Sequence, residues 1–289
     1  MGEPNMTQHQ LIDWHMHCYL DEHRSAEDAV ISSSRNVYRS VATPDPEQFD
    51  KAISEAGVEQ FVIVALPRSE GMHVPNDFIS DCVKRYPGRA VGLGSVDPRE
   101  PGAAQEFERC LSELDLRGLK LSPTYQAMDP CGPEFWSLYE IANAHQVPVM
   151  LHCGGAYKGS LEWADPTLID KVALAFPELK IIIAHFGQPY MEQTAILMRK
   201  NVNVYADLSA RYHRPWQLYN GVMIATEYRV TDRLLFGSDF PVLTPAQAMT
   251  RFRAINDWGA GAALPRIPDE VIESIIYERP LSMLGLRPD

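Results

Sequence analysis

Lys180-Ile181-Ile182-Ile183-Ala184-His185 decides the fold. An unbroken apolar run of this length suits a strand covered on both faces, where no polar residue needs to alternate toward water. Such strands belong to parallel sheets, whose crossover helices lie against them. Seven further short segments share the apolar, β-branched character, at 11–17, 60–66, 90–96, 118–122, 147–153, 202–207 and 233–238. Between them lie stretches with helical apolar spacing, such as Phe49, Ile53 and Ala56, or Phe107, Cys110, Leu111 and Leu114. Asp45-Pro46 and Asp165-Pro166 each place a side-chain acceptor before a proline suited to a first helical turn.

Eight alternating strand and helix segments predict an α/β fold, a single (β/α)8 TIM barrel over residues 1–289. The length of 289 residues suits a barrel, which commonly needs about 250. No glycine-rich dinucleotide fingerprint is present. Two insertions are expected at the C-terminal rim, after strands 1 and 7. The first, 18–44, carries His23, Arg24, Arg35, Tyr38 and Arg39; the second, 209–221, carries Arg211, Tyr212, His213, Arg214 and Trp216.

Composition narrows the function. A formal charge of -12 repels phosphate backbones and anionic membrane surfaces, so neither nucleic acid nor a membrane is an expected partner. No apolar run approaches the roughly 20 residues of a membrane span, and residues 1–6 show no basic stretch leading into an apolar one. Five irregularly spaced cysteines suggest neither a disulfide framework nor a zinc knuckle, and a cytoplasmic location is expected. Cys18 and Cys153 follow histidines of interest and are expected to pack rather than ligate.

Polar residues gather at the strand ends that form the catalytic rim of a barrel. Strand 1 ends in Asp13-Trp14-His15-Met16-His17, strand 4 carries Lys120, strand 5 ends in His152, strand 6 in His185, and Asp239 follows strand 8. In a regular strand, residues two apart share a face, so His15 and His17 can present two imidazoles to one point. A lone histidine at a strand end is commonly a satisfied polar residue, and an Asp after Gly-Ser commonly a helix cap. The joint occurrence is what these readings explain badly.

With Gly118-Leu119-Lys120-Leu121-Ser122-Pro123, Val149-Met150-Leu151-His152-Cys153-Gly154, Ile183-Ala184-His185-Phe186-Gly187 and Leu235-Phe236-Gly237-Ser238-Asp239-Phe240-Pro241, the chain resembles the amidohydrolase superfamily. Within it, the similarity is to the branch of aminocarboxymuconate semialdehyde decarboxylase-like hydrolases and decarboxylases. The resemblance implies that His15, His17, His152 and Asp239 bind one divalent metal, most simply Zn²⁺, with Mn²⁺, Fe²⁺ or Co²⁺ tolerated by the same donors. His185 is implied as a general acid/base or hydrogen-bond donor, and Asp239 as a ligand that also moves a proton. Lys120 is open between a carboxylated bridge to a second metal and an ammonium that holds a substrate carboxylate or pairs with Asp239. Ser122 stands where related sequences carry histidine.

Arg211 and Arg214 are candidates to hold an anionic small-molecule substrate, and Trp216, with Trp14, Tyr212 and Phe240, to offer it an aromatic wall. A metal-dependent hydrolase acting on an amide, ester or lactone is the expected activity. A non-oxidative decarboxylase of an aromatic or enoic acid is the alternative, and an inactive binding barrel the third reading. The resemblance also implies a homodimer.

Overall fold

The computed structural model describes residues 10–25, 45–69, 72–156 and 159–288. Eight parallel strands run in sequence order around a barrel: β1 (Ile12–Met16), β2 (Gln60–Val64), β3 (Ala90–Ser95), β4 (Leu119–Leu121), β5 (Val149–Leu151), β6 (Ile181–Ile183), β7 (Val204–Asp207) and β8 (Leu234–Leu235). Each is followed by an outer helix: α1 (Pro46–Ala56), α2 (Asn76–Lys84), α3 (Ala103–Ser112), α4 (Pro133–Ala144), α5 (Asp170–Ala175), α6 (Met191–Lys200), α7 (Pro215–Glu227) and α8 (Pro245–Arg253). A last helix, α9 (Asp269–Tyr277), leads into a turn at Leu281–Leu284. Asp45 caps α1 by accepting from the Gln48 amide, as its Asp-Pro start suggests.

Except in β1, the strands alternate between two apolar layers. Phe61 and Ile63, Leu119 and Leu121, and Val204 and Ala206 face the helices. Val62, Val64, Val91, Leu93, Met150, Ile182, Tyr205 and Leu235 fill the interior, which Leu281, Leu284 and Leu286 close. Trp14 belongs to this interior, fully buried, and its Nε1 donates to the Arg279 carbonyl at 3.0 Å.

Closure falls between β8 and β1. Trp14 N donates to Phe236 O, Asp239 N to His15 O and His17 N to Phe240 O, each at 2.9 Å. The seam therefore runs through the two segments richest in candidate ligands.

Of the two rim segments, 18–44 lies largely outside the described residues, with Arg35, Tyr38 and Arg39 among those not described. The stretch 209–221 is a short loop that enters α7 at Pro215, the first residue of that helix. A two-stranded antiparallel ribbon, Leu66–Ser69 with Met72–Val74, adds to the rim after β2. Among the described residues no helix is long and apolar enough to cross a membrane. All five cysteines are free thiols, and Cys18 and Cys153 sit in the apolar core.

Candidate metal centre

Strand β1 does not keep strict alternation. Asp13 pairs with Phe61 and Met16 with Ile63, so three steps on β1 match two on β2. Ile12 and Trp14 face the barrel interior, whereas Met16 faces the helices. This one-residue irregularity changes the phase of the strand, and both His15 and His17 thereby turn inward after an inward Trp14. Their ring centroids are 5.1 Å apart. Regular alternation from Trp14 would have sent them into the helical layer.

The other strand ends bring their side chains to the same place. His185 stacks on His15 at 5.1 Å between centroids, and the His152 ring meets His185 at 4.9 Å. Asp239 Oδ1 lies 3.1 Å from His17 Nε2 and 3.7 Å from His15 Nε2. Lys120, buried, points Nζ at His15 Nε2 across 3.4 Å. No ion pair joins Lys120 to Asp239 among the described residues. Gly237 packs closely here: a Cβ on it would stand 3.0 Å from His15 Cβ, tighter than an ordinary contact.

His185 and Asp239 both adopt left-handed backbone, at φ 57° and 58°. Such conformations cost about 1 kcal/mol or more in a residue with a Cβ, and they collect where function holds a side chain in place. Burial keeps the imidazoles neutral: it pushes His15 and His152 down, and His185 to about 3. Burial alone would raise the Asp239 carboxyl, but the imidazoles packed around it, His185 first and then His17, hold it well below the usual carboxylate range. Burial likewise lowers Lys120 to about 8, against the pull of Asp207 and Asp239. The site is a set of neutral nitrogen donors around one carboxylate, which is what a divalent cation binds.

Ligand atoms of His15, His185 and Asp239 lie within 4.8 Å of one another, the tightest such grouping among the described residues. His17 joins it through Asp239. His152 stands one ring away, and its Nε2 is buried with no hydrogen-bond partner among the described residues. An orphaned buried nitrogen is costly and is satisfied by a cation at that point. The residues fit a metal. They also bring His185 closer to it than the four-ligand set carried by the resemblance, in which His185 stands apart from the ligands.

Two residues that sequence reasoning passed over support this set. Asp207, at the end of β7, has Oδ2 3.0 Å from His15 Nδ1, and Ser209 Oγ lies 2.8 Å from His185 Nδ1. Tyr125, on the one-turn helix Pro123–Gln126, lies 5.0 Å from the His152 ring. The expected aromatic wall does not assemble. Trp14 is interior, Phe240 is buried against Phe49, and Tyr212 packs on Phe236 and Phe252. Trp216 stands 50% exposed on α7 and packs on Trp258 and Tyr219, not on the rim histidines. Pro215 starts the helix that places it there.

The arginines behave differently. Arg211 is buried and donates to Gln217 Oε1 at 3.3 Å, while Arg214 Nε contacts His213 Nε2 at 3.3 Å. Burial lowers His213 to about 4, helped by Arg211, Arg214 and Arg251 and opposed by Asp239. Arg211, Arg214 and Arg251 thus bring their positive charge to bear on His213.

Comparison with known proteins agrees with this picture. The amidohydrolase family model matches residues 12–286. An uncharacterised TIM-barrel protein from Bordetella bronchiseptica superposes with a TM-score of 0.76 at 21% identity, covering 96% of this chain and 100% of the other. A probable 2-pyrone-4,6-dicarboxylic acid hydrolase from Acinetobacter baumannii, solved with citric acid, gives 0.67 at 17% identity, with 96% and 100% covered. A dihydroxybenzoic acid decarboxylase from a Polaromonas species, with bound manganese and 2-nitroresorcinol, gives 0.65 at 18%, with 96% and 97% covered. With its eight-stranded barrel, its rim of histidines and a family match over nearly its whole length, the chain belongs to the amidohydrolase family.

Proposed function

We propose that the protein is a metal-dependent hydrolase that cleaves an amide, ester or lactone of a small carboxylated substrate. His15, His17, His152 and Asp239 would hold one divalent cation, with His185 at its edge. When bound, such a cation supplies a Lewis acid for the carbonyl oxygen and lowers the pKa of a water toward about 7.

One observation carries the preference for hydrolysis: Asp239 and His185 are both proton acceptors facing one point. The Asp239 carboxylate lies 3.1 Å from His17 Nε2, and His185 turns its Nδ1 away, toward Ser209. Taking a proton from water needs an acceptor. Loss of CO2 requires instead that a carbon be protonated, and these two groups hold no proton to give. The ammonium of Lys120 is a nearby donor, placed to steady the oxygen that gains charge. Arg211, Arg214 and Arg251 supply the positive charge that selects a carboxylate.

The test is turnover of carboxylated lactones, esters and amides, and of carboxylated aromatic acids, in oxygen-18 water. The reading predicts label in the new carboxyl group and no CO2. Release of CO2 without label would replace it with a decarboxylase, the activity named for several structures of the same fold.

A further inference from the structure

Asp207 is buried completely, and both of its oxygens are engaged in hydrogen bonds. Oδ2 faces His15 Nδ1 at 3.0 Å. Oδ1 accepts from the backbone N–H of His185 at 3.1 Å, the N–H of Ser209 at 3.0 Å and the Ser209 hydroxyl. Three donors converge on Oδ1, an arrangement that holds a carboxyl in its ionised form. An ionised carboxylate has no proton to donate, so His15 Nδ1 must carry the one between them.

The second half of the chain of bonds runs through Ser209. Its hydroxyl gives its proton to Asp207, so toward His185 Nδ1, 2.8 Å away, the oxygen can only accept. The Ser209 carbonyl, 3.3 Å from the same nitrogen, is likewise only an acceptor. His185 Nδ1 therefore carries a proton as well. In both neutral rings the free lone pair is then on Nε2, the atom that faces the rim.

We infer that Asp207 is a positioning residue that sets the tautomer of His15 directly and of His185 through Ser209, so that both rings present an unprotonated Nε2 to the metal. The inference rests on the metal reading of the site but not on which reaction follows. Partners of this kind fix ring orientation and raise ligand basicity.

The test uses metal-free protein without substrate, so it stands whether or not the enzyme hydrolyses anything. Long-range proton–nitrogen-15 spectra of the imidazoles report tautomers directly. Wild type should show protonated Nδ1 and pyridine-like Nε2 for His15 and His185. Ser209→Ala should move the His185 signals toward a tautomer mixture, while His15, which loses a 3.2 Å contact to Ser209 Oγ but keeps Asp207 at 3.0 Å, should retain its protonated Nδ1. Asp207→Asn should move both and weaken binding of Zn²⁺ or Mn²⁺, measured by chelator competition, about 10- to 100-fold. Protonated Nε2 in wild type, unchanged His185 signals in Ser209→Ala, or metal affinity within threefold of wild type in folded Asp207→Asn would each overturn it. Should Asp207→Asn not fold, the wild-type and Ser209→Ala spectra decide.

Discussion

His17 Nε2 and Asp239 Oδ1 lie 3.1 Å apart across 222 residues of sequence, at the seam where the last strand meets the first. The backbone around them closes the barrel through Asp239 N to His15 O and His17 N to Phe240 O. Ligand shell and barrel closure are thus one structure. Occupancy by a metal should therefore stabilise the whole domain. At a free metal concentration 100 times Kd the gain is about 2.7 kcal/mol, a rise of several degrees in Tm. Asp239→Ala should abolish the metal-dependent rise in differential scanning calorimetry; a variant whose Tm still climbs with metal would show that the cation binds elsewhere.

Acid should destabilise the metal-free protein from about pH 6.5 downward. Burial holds His185 near 3 and lowers His15 and His152, so between roughly pH 6.5 and 3 the unfolded chain binds protons that the folded chain refuses. Stability then falls as pH falls, by up to about 1.4 kcal/mol per pH unit for each such group. Asp13, pushed up to about 7 by burial, takes up a proton on folding and opposes the trend with a single group. His185→Gln should flatten the slope of urea-derived stability against pH by one proton. An unchanged slope would mean that His185 titrates normally in the folded state.

Lys120 separates the one-metal from the two-metal centre. Its ammonium is buried 3.4 Å from His15 Nε2, and no carboxylate pairs with it among the described residues. Lys120→Met should keep one equivalent of metal and lose about 10²- to 10³-fold in kcat, as expected for removal of a charge-stabilising donor. A fall from two equivalents to one would identify it as a carboxylated bridge.

The two tryptophans predict opposite phenotypes. Trp14 is sealed in the barrel interior with its Nε1 satisfied by Arg279, so Trp14→Ala should cost about 3–5 kcal/mol. Trp216 is half-exposed against Trp258. Trp216→Ala should cost about 1 kcal/mol, the worth of an aromatic pair, and leave KM unchanged. A large rise in KM would return it to the substrate pocket.

The eight strands were legible because runs such as Ile181-Ile182-Ile183-Ala184 admit few other readings, and the rim followed from the βα order. Each strand came out shorter than its apolar run, since the flanking residues continue the packing without the ladder. Asp207 was equally in view, a polar residue at the end of an expected strand, and the rule that found His152 and His185 would have found it. The phase change in β1 was not legible, because it depends on pairing with β2 and leaves no mark in composition. Pro215 did leave a mark: a proline at a helix start would have shown that Trp216 rides on α7 rather than on a loop.

The most direct test is the anomalous difference map of a crystal grown with Mn²⁺ or Zn²⁺ and measured at the metal edge, beside elemental analysis of the same protein. The account predicts one equivalent per chain and one peak at coordination distance from His15 and Asp239, with His17 and His152 completing the shell. Two peaks bridged by Lys120, or no peak among these residues in a protein saturated with metal, would contradict it.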